Sequence, residues 1–333
     1  MKRELLGVLA TAAMLMCAGG CGESSRNDGA EGTGDTISIA VIPMGTTHEF
    51  WKAIHAGAVT AARELGGTEI IWKGPLREDD RDEQIQIVET FIAAKVDAIV
   101  LSPMDDRALV RPVSEAERYG IPTVLVNSVL QGSHHISFVS TENYRGGVLG
   151  ADAIGKILGG VGKLILVRVN EADATVRQRE EGFLATIWEK FPGIEILSDN
   201  QYAGVTTETA YRTCENLLNR FGDVDAIFTP NESSTFGCLR ALQDRGLAGK
   251  VVLVGFDSTD KLIDALERRE ISGLVLQDPF LMGYEGVKTA VAYLRGEFYE
   301  KVIDTGVTLA TPDTMNDPAI LRLLRPDLSI LGD

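Results

Sequence analysis

Short apolar runs alternating with amphipathic stretches limit this chain to one class of fold. Ile37 to Ile42 is an apolar, β-branched run with one small polar interruption, bounded by Pro43 and Gly45, which suits a strand buried on both faces. From Phe50 the period changes. Phe50, Ile54, Gly57, Ala58, Ala61, Ala62 and Leu65 recur at three- and four-residue steps, so a helix starts near Thr47 or His48 and packs back on the strand. Gly66-Gly67 ends it. Strands follow at Glu69–Trp72, Ala98–Leu101 and Thr123–Val126, separated by helices at Asp82–Ala94 and Ala108–Tyr119. Strand and helix in alternation build a parallel sheet covered on both faces.

Near Gly132 to Thr141 the rhythm gives way to a polar loop and a short strand, which marks a crossover between two lobes. Alternation then resumes at helix Tyr144–Leu158 and continues to strand Leu274–Gln277 and a last helix at Met282–Leu294. The halves echo each other. Asp97-Ala98-Ile99-Val100 is matched by Asp225-Ala226-Ile227-Phe228, each followed by a helix, a glycine (Gly120, Gly246) and an apolar strand. The predicted fold is therefore α/β, with two similar parallel-sheet lobes rather than one long sheet. A length of 333 residues agrees with two cores. The tail from Thr311, with Pro312, Pro318 and Pro326, is expected to run over the surface.

The chain begins with Lys2-Arg3, an apolar run from Leu5 to Met16, and Ala18-Gly19-Gly20-Cys21. A basic start, a short apolar segment and small residues describe an export signal over residues 1–20, too short to span a bilayer comfortably. Small residues before a cysteine resemble the bacterial lipobox, which implies lipidation of Cys21. Residues 21–35 are almost all small or polar and are expected to form a disordered tether. Cys214 and Cys238 then remain, each in a helical pattern, and are read as two half-buried thiols rather than a disulfide. The net charge of -16 argues against nucleic acid or an anionic membrane surface as partner.

Familiar catalytic and cofactor signatures are missing. His48-Glu49 lacks the second histidine of a zinc helix, Lys52 standing in its place. Gly159-Gly160-Val161-Gly162-Lys163 precedes a strand instead of following one, and Leu164 replaces the hydroxyl residue of a phosphate loop. There is no dinucleotide fingerprint after the first strand and no Gly-x-Ser-x-Gly turn. His134-His135 reads as a solvated loop pair. No metal or cofactor is expected, and no enzyme.

What remains is a set of polar and aromatic residues just past the ends of strands, where open α/β sheets bind ligands. His48, Phe50 and Trp51 follow the first strand; Asn127-Ser128, Asn231-Glu232, Phe256-Asp257 and Gln277 follow later ones, joined by Arg177 near the start of a helix. Planar polar side chains can pair with adjacent sugar hydroxyls, each a donor and an acceptor, while aromatic walls cover apolar ring faces. Each residue also has a structural reading: Phe50 and Trp51 as core anchors, Asn231 and Asp257-Ser258 as helix caps.

Thr47-His48-Glu49-Phe50-Trp51, Arg177-Gln178-Arg179-Glu180-Glu181-Gly182-Phe183, Asn231-Glu232, Val254-Gly255-Phe256-Asp257 and Gln277 carry a specific resemblance. From about Ile37 to Gly306 the chain resembles a periplasmic sugar-binding protein of the ribose/galactose-binding type, a type I solute receptor of ABC transporters. The resemblance implies that His48 takes the place of a ligand-binding Asn, that Phe50, Trp51 and Phe256 are aromatic walls, and that Arg177, Asn231, Asp257 and Gln277 bind ligand. Asn127-Ser128 departs from the Asp-Arg of ribose receptors, which puts ribose itself in doubt. Also implied are three crossovers near Glu142, Gln277 and Gly306, giving lobes 36–141 plus 278–306 and 142–277 plus 307–333. Such a protein acts as a monomer at the outer face of the cytoplasmic membrane or in the periplasm, closes on a pentose- or hexose-class carbohydrate and presents both lobes to an ABC permease. A receptor that reports to a membrane sensor fits the same residues. An exported enzyme using Glu232 and Asp257 as paired carboxylates finds no activated nucleophile, and a transcription regulator of this fold would need a helix-turn-helix before Ile37.

Overall fold

The computed structural model describes residues 36–332, so the export signal, Cys21 and the tether expected over 21–35 lie outside the described residues. The chain runs β1 (Ile37–Ile42), α1 (Glu49–Leu65), β2 (Thr68–Trp72), α2 (Arg81–Ala94), β3 (Ala98–Leu101), α3 (Val110–Arg118), β4 (Thr123–Val126) and β5 (Ser137–Ser140). It continues with α4 (Asn143–Ile157), β6 (Val161–Arg168), α5 (Ala174–Lys190), β7 (Gly193–Tyr202), α6 (Thr207–Arg220), β8 (Ala226–Phe228), α7 (Glu232–Asp244), β9 (Val252–Phe256), α8 (Asp260–Glu267) and β10 (Gly273–Leu276). Then come α9 (Pro279–Leu294), β11 (Val302–Asp304), β12 (Thr308–Ala310), α10 (Pro318–Leu324) and a 3-10 turn at Ser329–Leu331.

Two six-stranded sheets result, in the orders β11-β5-β4-β3-β1-β2 and β12-β10-β9-β8-β6-β7. Every pairing is parallel except β10 with β12. The strand orders correspond one to one, so the sequence echo has a structural meaning. Its two aspartates do the same work: Asp97 Oδ2 accepts from the Ser38 N–H at 2.7 Å and Asp225 Oδ2 from the Lys163 N–H at 2.7 Å, each tying the start of a central strand. Apolar clusters cover both faces of each sheet, as expected for strands without a polar side.

The chain passes between the sheets three times, at Thr141-Glu142, Gln277-Asp278 and Thr305 to Val307. Each lobe fixes the helix that carries its ligand-facing residues by a close glycine crossing. A Cβ on Gly57 of α1 would lie 1.9 Å from the Phe280 carbonyl oxygen of α9, and one on Gly283 1.9 Å from that of Ile54. In the other lobe a Cβ on Gly147 of α4 would lie 1.9 Å from the Arg179 carbonyl oxygen of α5, and one on Gly182 2.1 Å from that of Tyr144. Only glycine permits backbones to approach this closely.

Two expectations are corrected. Cys214 and Cys238 are fully buried and form a disulfide, with their Cα atoms 5.3 Å apart. Close packing of α6 on α7, where Gly237 meets the Thr207 carbonyl, brings them into bridging range. The tail does not simply run over the surface. Met315 and Leu324 enter the core of the second lobe, with Ile320 and Leu323 packed against it. Asp317 caps α10 by accepting from the Ala319 N–H, and Pro318 supplies a preset first turn. The Ser329–Leu331 turn then packs on α1 of the first lobe, where the Arg63 guanidinium donates to the Ile330 carbonyl at 3.3 Å.

Candidate ligand-binding cleft between the lobes

The first wall is the N-terminus of α1. His48 is its N-cap in extended conformation and makes no side-chain cap bond, so its imidazole reaches the loop after β2 instead. There Nδ1 lies 3.0 Å from Glu78 Oε1, which also accepts from Trp51 Nε1 at 2.6 Å. Burial alone would lower the His48 imidazole, but the Glu78 carboxylate, helped by Glu232 and Asp257, carries it up to about 9. Phe50 meets Trp51 edge to face, ring centroids 4.9 Å apart. Trp51 is almost fully buried, so it is a core anchor and a cleft residue together.

Asn127 and Asp257 occupy equivalent places in the repeat, just past β4 and β9, and both are left-handed, with φ of 63° and 64°. Each donates its backbone N–H to the next strand, to the Val139 and Val275 carbonyls respectively. Asn and Asp tolerate this conformation better than other non-glycine residues. The turn therefore tips a planar polar side chain into the gap from each lobe. Asp257 Oδ1 accepts from Gln277 Nε2 at 2.7 Å, leaving Gln277 Oε1 buried without a partner among the described residues.

Arginine 179, not Arg177, faces the cleft. Arg179 is buried in α5, donates from Nε to Asn143 Oδ1 and from Nη1 to the Pro230 carbonyl, each at 2.9 Å, and stacks on Phe256 with its guanidinium carbon 4.3 Å from the ring centroid. Asp173 and Asp257 supply its counter-charges; burial pushes both carboxyls up, Arg179 pulling down. Arg177 points to the rim, where Nη2 bonds Asp106 Oδ2 of the other lobe at 3.1 Å. Phe256 is fully buried beneath Arg179 and is not a cleft wall. Ser128 is buried and does not line the cleft either.

Asn231 does two jobs. It caps α7, accepting from the Ser234 N–H at 3.0 Å, and it lines the cleft. Beside it, Glu232 Oε2 is buried with no hydrogen-bond partner among the described residues. Burial raises the Glu232 carboxyl to about 7, with His48 opposing and Asp257 and Glu78 adding.

His48, Phe50, Trp51, Asn127, Asn231, Asp257 and Gln277 thus converge from both lobes on one cavity of about 40 Å³. Sequence reasoning missed Glu78, Asp173, Thr175 and Arg179, which share it. An adjoining cavity of about 610 Å³ shares Phe50, Glu232, Asp257 and Gln277, and is walled by Leu323 to Pro326 of the tail. Among the described residues no cluster of histidine, cysteine or carboxylates suits a metal ion.

The model of the periplasmic binding protein domain family matches residues 39–298. The D-apiose import binding protein of Paraburkholderia graminis is 30% identical over 77% of this chain and 81% of its own length. The ribose import binding protein of Haemophilus influenzae is 29% identical over 81% and 89%. Among solved structures, a carbohydrate transporter solute-binding protein from Agrobacterium radiobacter in complex with D-arabinose superposes with a TM-score of 0.83 at 33% identity, covering 87% of this chain and 99% of that one. One from Agrobacterium vitis with bound D-fucose gives 0.83 at 30%, covering 86% and 100%.

Proposed function

The chain belongs to the periplasmic binding protein family, whose members are substrate-binding proteins of ABC importers and not enzymes, and we propose that it binds a small sugar between its lobes. In this reading it is exported, lipidated at Cys21, acts as a monomer and delivers its ligand to an ABC permease.

The convergence of planar polar groups from both lobes on one cavity between them carries the reading. Arg179, Asp257, Asn231 and Gln277 from one lobe face His48 and Asn127 from the other, so a ligand held by all six favours the closed arrangement over the open one. At about 40 Å³ the cavity has room for roughly one water, so a sugar enters when the lobes part. Charge-assisted hydrogen bonds contribute about 1.5 to 3 kcal/mol each, and three or four give micromolar binding or better.

Thermal melts of the intact protein against pentoses, hexoses and sugar alcohols test this. A ligand at a hundred times its dissociation constant stabilises by about 2.7 kcal/mol, a rise of several degrees. Asp257→Ala should abolish that rise. If no carbohydrate moves the melting point, the sugar is withdrawn.

A further inference from the structure

We propose that the ligand carries a protonated amine, as an amino sugar or amino polyol does, and that the Glu232 carboxylate receives it. This rests on the sugar-receptor reading and narrows it. Four carboxyl side chains line the central cavity, those of Glu78, Asp173, Glu232 and Asp257, against two cations, His48 and Arg179. Glu78 is taken by the His48 imidazole at 3.0 Å. Asp173 and Asp257 flank Arg179. Glu232 is left without a bonded cation of its own among the described residues, its Oε2 buried and unpartnered.

Hydrogen-bond counting points the same way. The Gln277 amide commits its N–H to Asp257, so a second buried acceptor, Gln277 Oε1, joins Glu232 Oε2 in the lining of the same cavity. A hydroxyl brings one donor along with lone pairs of its own. An ammonium brings three donors and no lone pair. Two orphan acceptors, one of them on a carboxylate with no bonded cation among the described residues, therefore match an ammonium better than a hydroxyl, and a carboxylate or phosphate would add to the repulsion.

A neighbouring recess is acidic as well. A recess of about 310 Å³ that shares Glu78 is lined by Asp79, Asp80, Asp82 and Asp105, with Arg81 the one basic residue among its lining. Like charges around a cleft raise the local concentration of the opposite sign. His48, Glu78 and Asp257 face Glu232, and burial holds its carboxyl near 7, so at neutral pH an arriving ammonium displaces a proton from part of the population.

Calorimetric titration of the intact protein with matched pairs decides it: D-glucosamine with D-glucose, D-galactosamine with D-galactose, D-mannosamine with D-mannose, and 1-amino-1-deoxysorbitol with sorbitol. At least one amine should bind about tenfold more tightly than its hydroxyl partner, and Glu232→Gln should erase that ratio. If the neutral member binds as well or better in every pair, the amine is ruled out and the sugar-receptor reading stands. If neither member of any pair binds while neutral pentoses do, the amine is likewise ruled out. If no carbohydrate of either kind binds, the receptor reading falls and the amine with it.

Discussion

Arg177 and Arg179 stand two residues apart on α5, which turns them roughly 200° from one another. Arg179 shares its face with Val176 and Phe183, three residues before and four after, and all three are buried. That spacing was present in the sequence and identifies the inward arginine; matching the first arginine of the motif to the ligand overlooked it. The two should part in experiment. Arg179→Ala leaves Asp257 and Asp173 without their buried counter-charge and should cost about 3 to 5 kcal/mol in denaturant unfolding, with loss of sugar binding. Arg177→Ala removes a partly exposed pair with Asp106 and should cost at most about 1 kcal/mol. The titration of His48 belongs at this scale too. Its imidazole, ordinarily at 6.5, lies at about 9 in the folded protein, so the pairing with Glu78 stabilises fully below about 6.5 and fades as pH rises through 9. The Glu232 carboxyl, raised from 4.5 to about 7, acts in the same sense over the lower window. Melting temperature should therefore fall from pH 6.5 to 9, and His48→Asn should flatten that decline. Glu78 was not legible in the sequence, because its role depends on a loop from a different strand reaching the α1 N-terminus.

Among the elements, the alternation of strand and helix was legible as far as α9, since strands buried on both faces and amphipathic helices differ in period, whereas β11, β12 and α10 were not read. Helix starts were less visible where one residue serves two purposes. The sequence places a helix at Met282, whereas α9 begins at Pro279 behind the Asp278 cap; α7 likewise begins at Glu232 behind its own cap. A polar residue assigned to a ligand, Asn231, was also that helix cap. The glycine crossings are the elements' most sensitive contact. Gly57→Ala or Gly283→Ala should cost upward of about 2 kcal/mol by driving α1 from α9, seen as a lowered denaturation midpoint. The disulfide joins α6 to α7 across a sequence separation of 24 residues. Reduction should cost about 3 kcal/mol without loss of the ligand site, measured as melting temperature with and without reductant.

For the molecule as a whole, three crossovers join the lobes, and among the described residues the gap is also spanned by Arg177 with Asp106 and by the tail laid from the second lobe onto α1. The tail was illegible as a link because its anchor on the first lobe, Arg63, lies 267 positions from Ile330. Removing Pro326 to Asp333 should raise the radius of gyration in small-angle scattering without added sugar; an unchanged profile would mean that the tail does not restrain the lobes. Side chains from both lobes are proposed to enclose one ligand. A crystal structure with the tightest-binding sugar tests this most directly. Arg179, Asn231, Asp257 and Gln277 from one lobe and His48 and Asn127 from the other should all lie within about 3.2 Å of ligand oxygen or nitrogen, with Arg177 apart. A ligand seated on one lobe alone, or outside this cleft, would contradict it.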